Sequence, residues 1–231
     1  MYCIVPLAGP DCYSAQYGIR PLIEINGKPL IEEVLSKRDW FQTGELLPKN
    51  LIFVLREDFS LPKLKDYLKQ TFPGCKWVVV SQMTKGALLS AAAAVSLIEN
   101  FHQPIAVDLA DLIFESTFSP TEAFGNDSSL CGIIPYFSSD NMKYSYLKMK
   151  DGKVLQTAEK QVISNNASAG VYFFRNFAFF LQAIAGTALQ EEKYQYCGNL
   201  FLCPSFNALI PMGKVIGIEV SILNEITLAF H

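Results

Sequence analysis

Three stretches of this 231-residue chain place side chains capable of chemistry just beyond short apolar runs. Gly9–Arg20 follows the run Cys3–Leu7 and carries Asp11 and Arg20 in a long loop. Gln82–Gly86 follows Trp77–Ser81 and opens into an alanine-rich segment. Asp108-Leu-Ala-Asp111 closes the run Ile105–Leu109. An open α/β sheet binds ligands beyond the carboxyl ends of its strands, which makes these three places the first to inspect. Each residue also has a purely structural role open to it. Asp111 can cap the turn after a strand, Arg20 can be a solvated loop arginine, and Gly86 can simply start a helix. The first loop contains only Gly9 and Gly18 and fits neither G-x-G-x-x-G nor the phosphate loop that ends in GK[ST]. The six cysteines form no C-x-x-C pair and no zinc spacing with the two histidines, so reduced, structural thiols are expected.

The elements that must position these residues follow from periodicity. Apolar runs at Cys3–Leu7, Leu51–Leu55, Trp77–Ser81, Ile105–Leu109, Leu130–Tyr136, Tyr144–Met149, Ala169–Phe174 and Val215–Val220 read as strands. Asp151-Gly152 makes a hairpin of Tyr144–Met149 and Val154–Thr157. Helices are expected at Leu30–Leu35, Leu61–Thr71, Gly86–Glu99 and Phe177–Leu189, with a shorter one at Phe206–Ile210. Phe177–Leu189 is apolar almost all round and is expected to be buried. The fold class that emerges is α/β: one domain over residues 1–231, three-layered α/β/α with a mostly parallel mixed sheet. Half the residues are hydrophobic and 18% are charged, which excludes wholesale disorder. A net charge of −3 gives no reason to expect nucleic acid as a partner. The sequence contains no run long enough to span a membrane, and its first residues do not read as a signal peptide, so a cytoplasmic address is expected.

The motifs, taken in order, resemble the sugar-1-phosphate nucleotidyltransferases, enzymes of GT-A-like α/β fold. Ile4-Val-Pro-Leu-Ala-Gly followed by Arg20-Pro-Leu-Ile-Glu-Ile-Asn-Gly-Lys-Pro-Leu-Ile-Glu is similar to that family's opening. Thr84-Lys-Gly-Ala resembles its base-recognition segment, and Pro104-Ile-Ala-Val-Asp-Leu-Ala-Asp the strand that delivers its metal-binding aspartate. Ala158-Glu-Lys-Gln-Val-Ile-Ser, Asn166-Ala-Ser-Ala-Gly and Cys203-Pro-Ser-Phe-Asn continue the series, so the likeness spans about residues 3–228. The resemblance implies transfer of a nucleotidyl group from a nucleoside triphosphate to a sugar 1-phosphate, with pyrophosphate released, as a step toward capsule or other surface polysaccharide. It implies Mg²⁺ on Asp111, phosphate contacts at Arg20 and Lys160, and nucleotide contacts at Leu7, Ala8, Gly9, Gln82 and Gly86. It further implies sugar contacts at Glu159, Lys160 and Gly170. Lys160 is otherwise a surface charge, and Gly170 otherwise serves strand packing.

Some positions depart from the family pattern. Pro10-Asp-Cys-Tyr-Ser has neither the arginine nor the glycines of the family's first loop, and Asp11 sets a negative charge near the expected phosphates. No aspartate occurs in Ile218–Leu228; Glu219 and Glu225 are the nearest acids for a second metal position. Asp108, three residues before Asp111, is expected to face the other side of its strand. A second reading follows: a catalytically degenerate relative that binds a nucleotide, a sugar or a protein. Asp108-Leu-Ala-Asp111 has one residue too many for the DxD motif of glycosyltransferases. Tyr13 and Tyr17 are the side chains that would fill the cleft beneath the first loop if it is closed. The aromatic stretch Phe173–Phe180 suits a homo-oligomer interface as readily as a core.

Overall fold

A computed structural model describes residues 1–225 of the chain; the last part of the C-terminal motif, 226–228, lies outside them. A ten-stranded sheet runs through the molecule. Its strands are β1 (Tyr2–Pro6), β2 (Leu51–Arg56), β3 (Lys76–Val80), β4 (Ile105–Asp108), β6 (Leu130–Ser138), β7 (Ser145–Lys150), β8 (Lys153–Glu159), β9 (Asn166–Ser168), β10 (Val171–Phe174) and β11 (Lys214–Glu219). The order is β9-β7-β8-β11-β6-β10-β4-β1-β2-β3. β5 (Leu112–Glu115) leaves this sheet and pairs antiparallel with β12 (Ser221–Glu225).

Parallel pairings join β4, β1, β2 and β3, and β6 with β11. The remaining neighbours are antiparallel. The sheet is therefore mixed, and its parallel character is concentrated on one side rather than prevailing throughout. One antiparallel pair, β7 with β8, is a tight hairpin: Asp151-Gly152 turns the chain straight back, with both residues at positive φ, whereas a parallel step needs a crossover.

Side chains alternate across the strands and build an apolar core on each face. Cys3, Val5, Phe53 and Leu55 enter one core, and Tyr2, Ile4, Ile52 and Val54 enter the other. Helix α1 (Leu30–Ser36) covers the first face with Leu30, Ile31, Val34 and Leu35, and α2 (Leu61–Thr71) adds Leu64 and Leu68. Helices α3 (Ala87–Ala93) and α5 (Phe177–Leu189) cover the second. The alanine-rich segment tightens into 3₁₀ geometry at Ala94–Leu97 instead of continuing as α-helix to Glu99. α5 buries Phe180, Ala183 and Thr187 on one face only, while Leu181 and Leu189 are exposed, which corrects the expectation of a buried helix. Phe173, Phe174 and Phe180 are core residues. Among the described residues, no helix is long and apolar enough to cross a membrane, and all six cysteines are free.

Helix α4 (Pro120–Asn126) was not expected from periodicity, although its start is written in Ser119-Pro-Thr-Glu122. The Ser119 side chain accepts a hydrogen bond from the Glu122 amide at 3.1 Å. Trp40, in the one-turn helix Asp39–Gln42, is buried against Phe114, Phe118 and Phe173, with ring centroids 6.3, 5.7 and 4.9 Å away. It ties the turn after α1 to β5 and β10. Replacing it with alanine is expected to cost about 3–5 kcal/mol, read as a lowered urea midpoint with an unchanged slope.

Candidate functional site

The carboxyl ends of β1, β4 and β8 open onto a cleft of about 740 Å³. β1 delivers Leu7 and Gly9, and Asp11 follows in a 3₁₀ turn at Pro10–Cys12. A two-residue ladder, Tyr13–Ser14 with Gly18–Ile19, then returns the chain to Arg20. Arg20 starts the next 3₁₀ turn, Arg20–Leu22, whose backbone Pro21 restrains, and its side chain is 15% exposed. Arg20 Nη2 donates to Asp111 Oδ1 at 2.7 Å, closing a bridge between the first loop and the end of β4.

Asp111 sits on a turn held from below. Asp108, fully buried, accepts from Arg38 Nε at 2.8 Å and Nη2 at 3.1 Å, and from the Ala110 amide at 2.8 Å. Leu109 donates its amide to the Gly170 carbonyl at 3.0 Å, which ties this turn to the Gly170 turn. Ala110 lies between them at φ +53°, a left-handed conformation that costs a non-glycine residue free energy. Burial raises the Asp111 carboxyl above its ordinary value; Arg20 opposes the shift, while Asp108 and Asp11 add to it. Its side chain remains 29% exposed, toward the cleft.

The opposite wall comes from β8 and the loop before β7. Glu159 accepts from the Ser145 hydroxyl, and burial raises its carboxyl above the usual range against the pull of Ser145 and Lys160. Lys160 follows at φ +49°, its amide donating to Tyr144 at 3.1 Å and its Nζ 5.6 Å from the Tyr196 ring. Lys143 brings a further cation to the same wall. Gly170, at φ +76°, lines the cleft, and a Cβ there would meet only Leu109 at 3.8 Å. That leaves its backbone open to close approach by a ligand.

The structure thus gathers Leu7, Gly9, Arg20, Gly86, Asp111, Glu159, Lys160 and Gly170 around one cleft. Ala8 and Gln82 do not line it: Ala8 is buried beneath the loop, and Gln82 points to solvent, where Met83 and Thr84 take the wall instead. Gly86 has a reason of its own to be glycine. At φ +98°, any Cβ would collide with the carbonyl and amide of Leu200. Tyr13 and Tyr17 leave the cleft open and line a small side recess with Arg20. Glu219 is exposed and lies off the cleft, and only the backbone of Glu225 is described, in its pairing with Leu112. Lys143, Asn199 and Phe201 carry no motif; they reach the cleft through a loop and a short hairpin that the strand pattern does not mark.

Among the described residues, no three His, Cys, Asp or Glu side chains come together in a group that could hold a metal ion. Asp108 is engaged by Arg38, which leaves Asp111 as the carboxylate at the end of β4 that reaches the cleft. Mg²⁺ is commonly held by one or two carboxylates together with substrate phosphates and water. Asp111 fits a Mg²⁺ of that kind, provided Arg20 releases it.

No protein-family model and no curated protein matches the sequence. The fold, however, is similar to that of solved structures. A nucleoside-diphosphate-sugar pyrophosphorylase from Vibrio cholerae RC9 superposes with a TM-score of 0.81 at 17% identity, covering 100% of this chain and 97% of that one. A putative glucose-1-phosphate thymidylyltransferase from Bacillus anthracis, in complex with a sucrose, gives 0.72 at 16% identity, covering 96% and 87%. A UDP-glucose pyrophosphorylase complexed with UDP-glucose gives 0.71 at 17% identity, covering 96% and 92%. The chain has a sugar-1-phosphate nucleotidyltransferase-like fold.

Two outcomes follow from this geometry. Gly86→Ala is expected to destabilise by the upper end of about 1–3 kcal/mol, seen in thermal melts, because the Leu200 backbone must move. Asp111→Asn is expected to stabilise the ligand-free protein at neutral pH. A carboxyl raised on folding binds its proton more tightly in the native state, so ionising it costs stability as pH rises through the folded value. The gain should fade below the ordinary aspartate range, which melts of both proteins across pH 3–7 will reveal.

Proposed function

We propose that the protein transfers a nucleotidyl group from a nucleoside triphosphate to a sugar 1-phosphate, releasing pyrophosphate. The observation that carries this reading is the convergence of Arg20, Asp111 and Lys160, from three distant parts of the sequence, on one open cleft in this fold. The nucleotide lies between Leu7–Gly9 and the Met83–Gly86 wall. The sugar lies against Gly170, with Glu159 accepting from a hydroxyl and Lys160 neutralising the attacking phosphate. Arg20 releases Asp111 as the triphosphate enters and turns its guanidinium to the phosphates, which its fork geometry suits. Mg²⁺ on Asp111, when bound, offsets the charge that develops at the α-phosphate. The side chains around it hold attacker and leaving group in line, where most of the catalytic advantage in phosphoryl chemistry resides. The product would feed surface-polysaccharide synthesis, and six free thiols suit a cytoplasmic site.

A second reading has one specific observation in its favour. Asp11 lines the cleft where a triphosphate would lie, and Arg20 is already neutralised by Asp111. A module that binds a nucleotide sugar without turnover needs less positive charge than an enzyme acting on a triphosphate.

Pyrophosphate release, measured with Mg²⁺, the common nucleoside triphosphates and a panel of sugar 1-phosphates, distinguishes the two. Turnover with at least one pair is expected, and Asp111→Ala and Lys160→Met should each lower kcat by about 10²–10³. If no pair turns over but a nucleotide sugar raises the melting temperature, the binding-module reading holds in its place.

A further inference from the structure

We propose that Arg38 is the positioning residue for Asp111. Arg38 follows α1 and begins the Asp39–Gln42 turn, more than 70 residues before Asp111 in sequence and absent from the cleft lining. Its guanidinium is 1% exposed and stacks on the Phe114 ring, with Cζ 3.9 Å from the centroid. From there it reaches both sides of the turn that carries Asp111. Nε and Nη2 donate to Asp108, before the turn, and Nη2 donates to the Leu112 carbonyl at 3.1 Å, after it. Asp108 in turn accepts the Ala110 amide. Both neighbours of Asp111 in the chain are pinned through one buried cation.

Stability alone does not account for this arrangement. A buried ion pair is weak support for a fold, because apolar residues of similar volume commonly serve as well. Here the pair even leaves a cost in place: among the described residues, Arg38 Nη1 is buried with no partner. What an apolar pair lacks is the span from Asp108 to the Leu112 carbonyl. That span holds Ala110 in its left-handed conformation, a backbone state that persists only when its surroundings over-determine it. With Ala110 held, the Asp111 carboxylate is aimed at Arg20 and the cleft.

The effect on turnover rests on the nucleotidyl-transfer reading, so the deciding measurement is made without ligand. The double variant Arg38→Met, Asp108→Asn removes the guanidinium and the charge it pairs, while the new amide oxygen still accepts from Ala110. Amide hydrogen exchange across residues 109–112 is expected to accelerate about tenfold in this variant, with a cooperative melt retained. Arg38→Lys, which keeps the charge near Asp108 and loses the span to Leu112, should give intermediate exchange and serves if the double variant does not fold. Exchange at wild-type rate in the double variant, or in Arg38→Lys, overturns the proposal. Where the wild-type protein turns over, kcat of the double variant should fall toward that of Asp111→Ala, with KM for the sugar phosphate changed less than about twofold. Absence of turnover with every substrate pair would sink the functional reading and leave the exchange result to decide Arg38 by itself.

Discussion

A guanidinium and a carboxylate, both 1% exposed, meet at the carboxyl end of β4. Taking two charges out of water is expensive, and their attraction repays that cost only when hydrogen bonds satisfy most of the remaining valences. The arrangement around Arg38 and Asp108 follows from that demand. The carboxylate takes three donors, two from Arg38 and one from the Ala110 amide, and the Arg38 fork takes a second acceptor in the Leu112 carbonyl. Phe114 supplies the flat surface on which the guanidinium lies. β5 begins at Leu112, so the same pair anchors the point where the chain leaves the main sheet to pair with β12. Trp40, two residues after Arg38, packs on Phe114 and Phe173 and closes the apolar shell around the pair.

Charge within the cleft is closely balanced. Arg20, Lys143 and Lys160 face Asp11, Asp111 and Glu159. Arg20 and Asp111 neutralise each other at 2.7 Å, and burial favours the protonated form of Glu159. The cations left to meet a phosphate are the two lysines, both on the β8 side of the cleft. Under the proposed reaction, a phosphate on the β8 side would meet these lysines, while one beneath the first loop would meet a cation only after Arg20 turned from Asp111. In that reading the Arg20–Asp111 bridge is the element a triphosphate must open.

Much of the fold was legible because its strands are short apolar runs bounded by turn residues. Leu51–Leu55 and Ile105–Leu109 fall within a residue of the observed strands, and Leu61–Thr71 and Phe177–Leu189 match their helices end to end. What escaped lacked a periodic signal. β9 has three residues, and β5 and β12 are held by each other rather than by an alternating pattern. Direction of pairing escaped as well, since a run of Val, Ile and Leu says that a strand is buried without saying which way its neighbour runs. In the cleft, most residues carried by a motif line the wall, Ala8 and Gln82 excepted, and those placed by geometry alone escaped. Asp111, Lys160 and Gly170 sit in recognisable strings, whereas Lys143 stands in a loop with nothing to mark it. Arg38 does not itself line the cleft, and only the three-dimensional turn links it to Asp111.

Gly86 illustrates why a motif residue and its reason can part company. The family resemblance implies a base contact there, and Gly86 does line the cleft. Its φ of +98° and the proximity of the Leu200 backbone would demand glycine there with no ligand at all. The Lys85 carbonyl accepts the Leu200 amide at 3.0 Å, so the start of α3 is clamped to the hairpin that carries Asn199 and Phe201 to the cleft. A larger residue at position 86 would press on the Leu200 backbone and so disturb the hairpin that places Asn199 and Phe201 on the cleft wall.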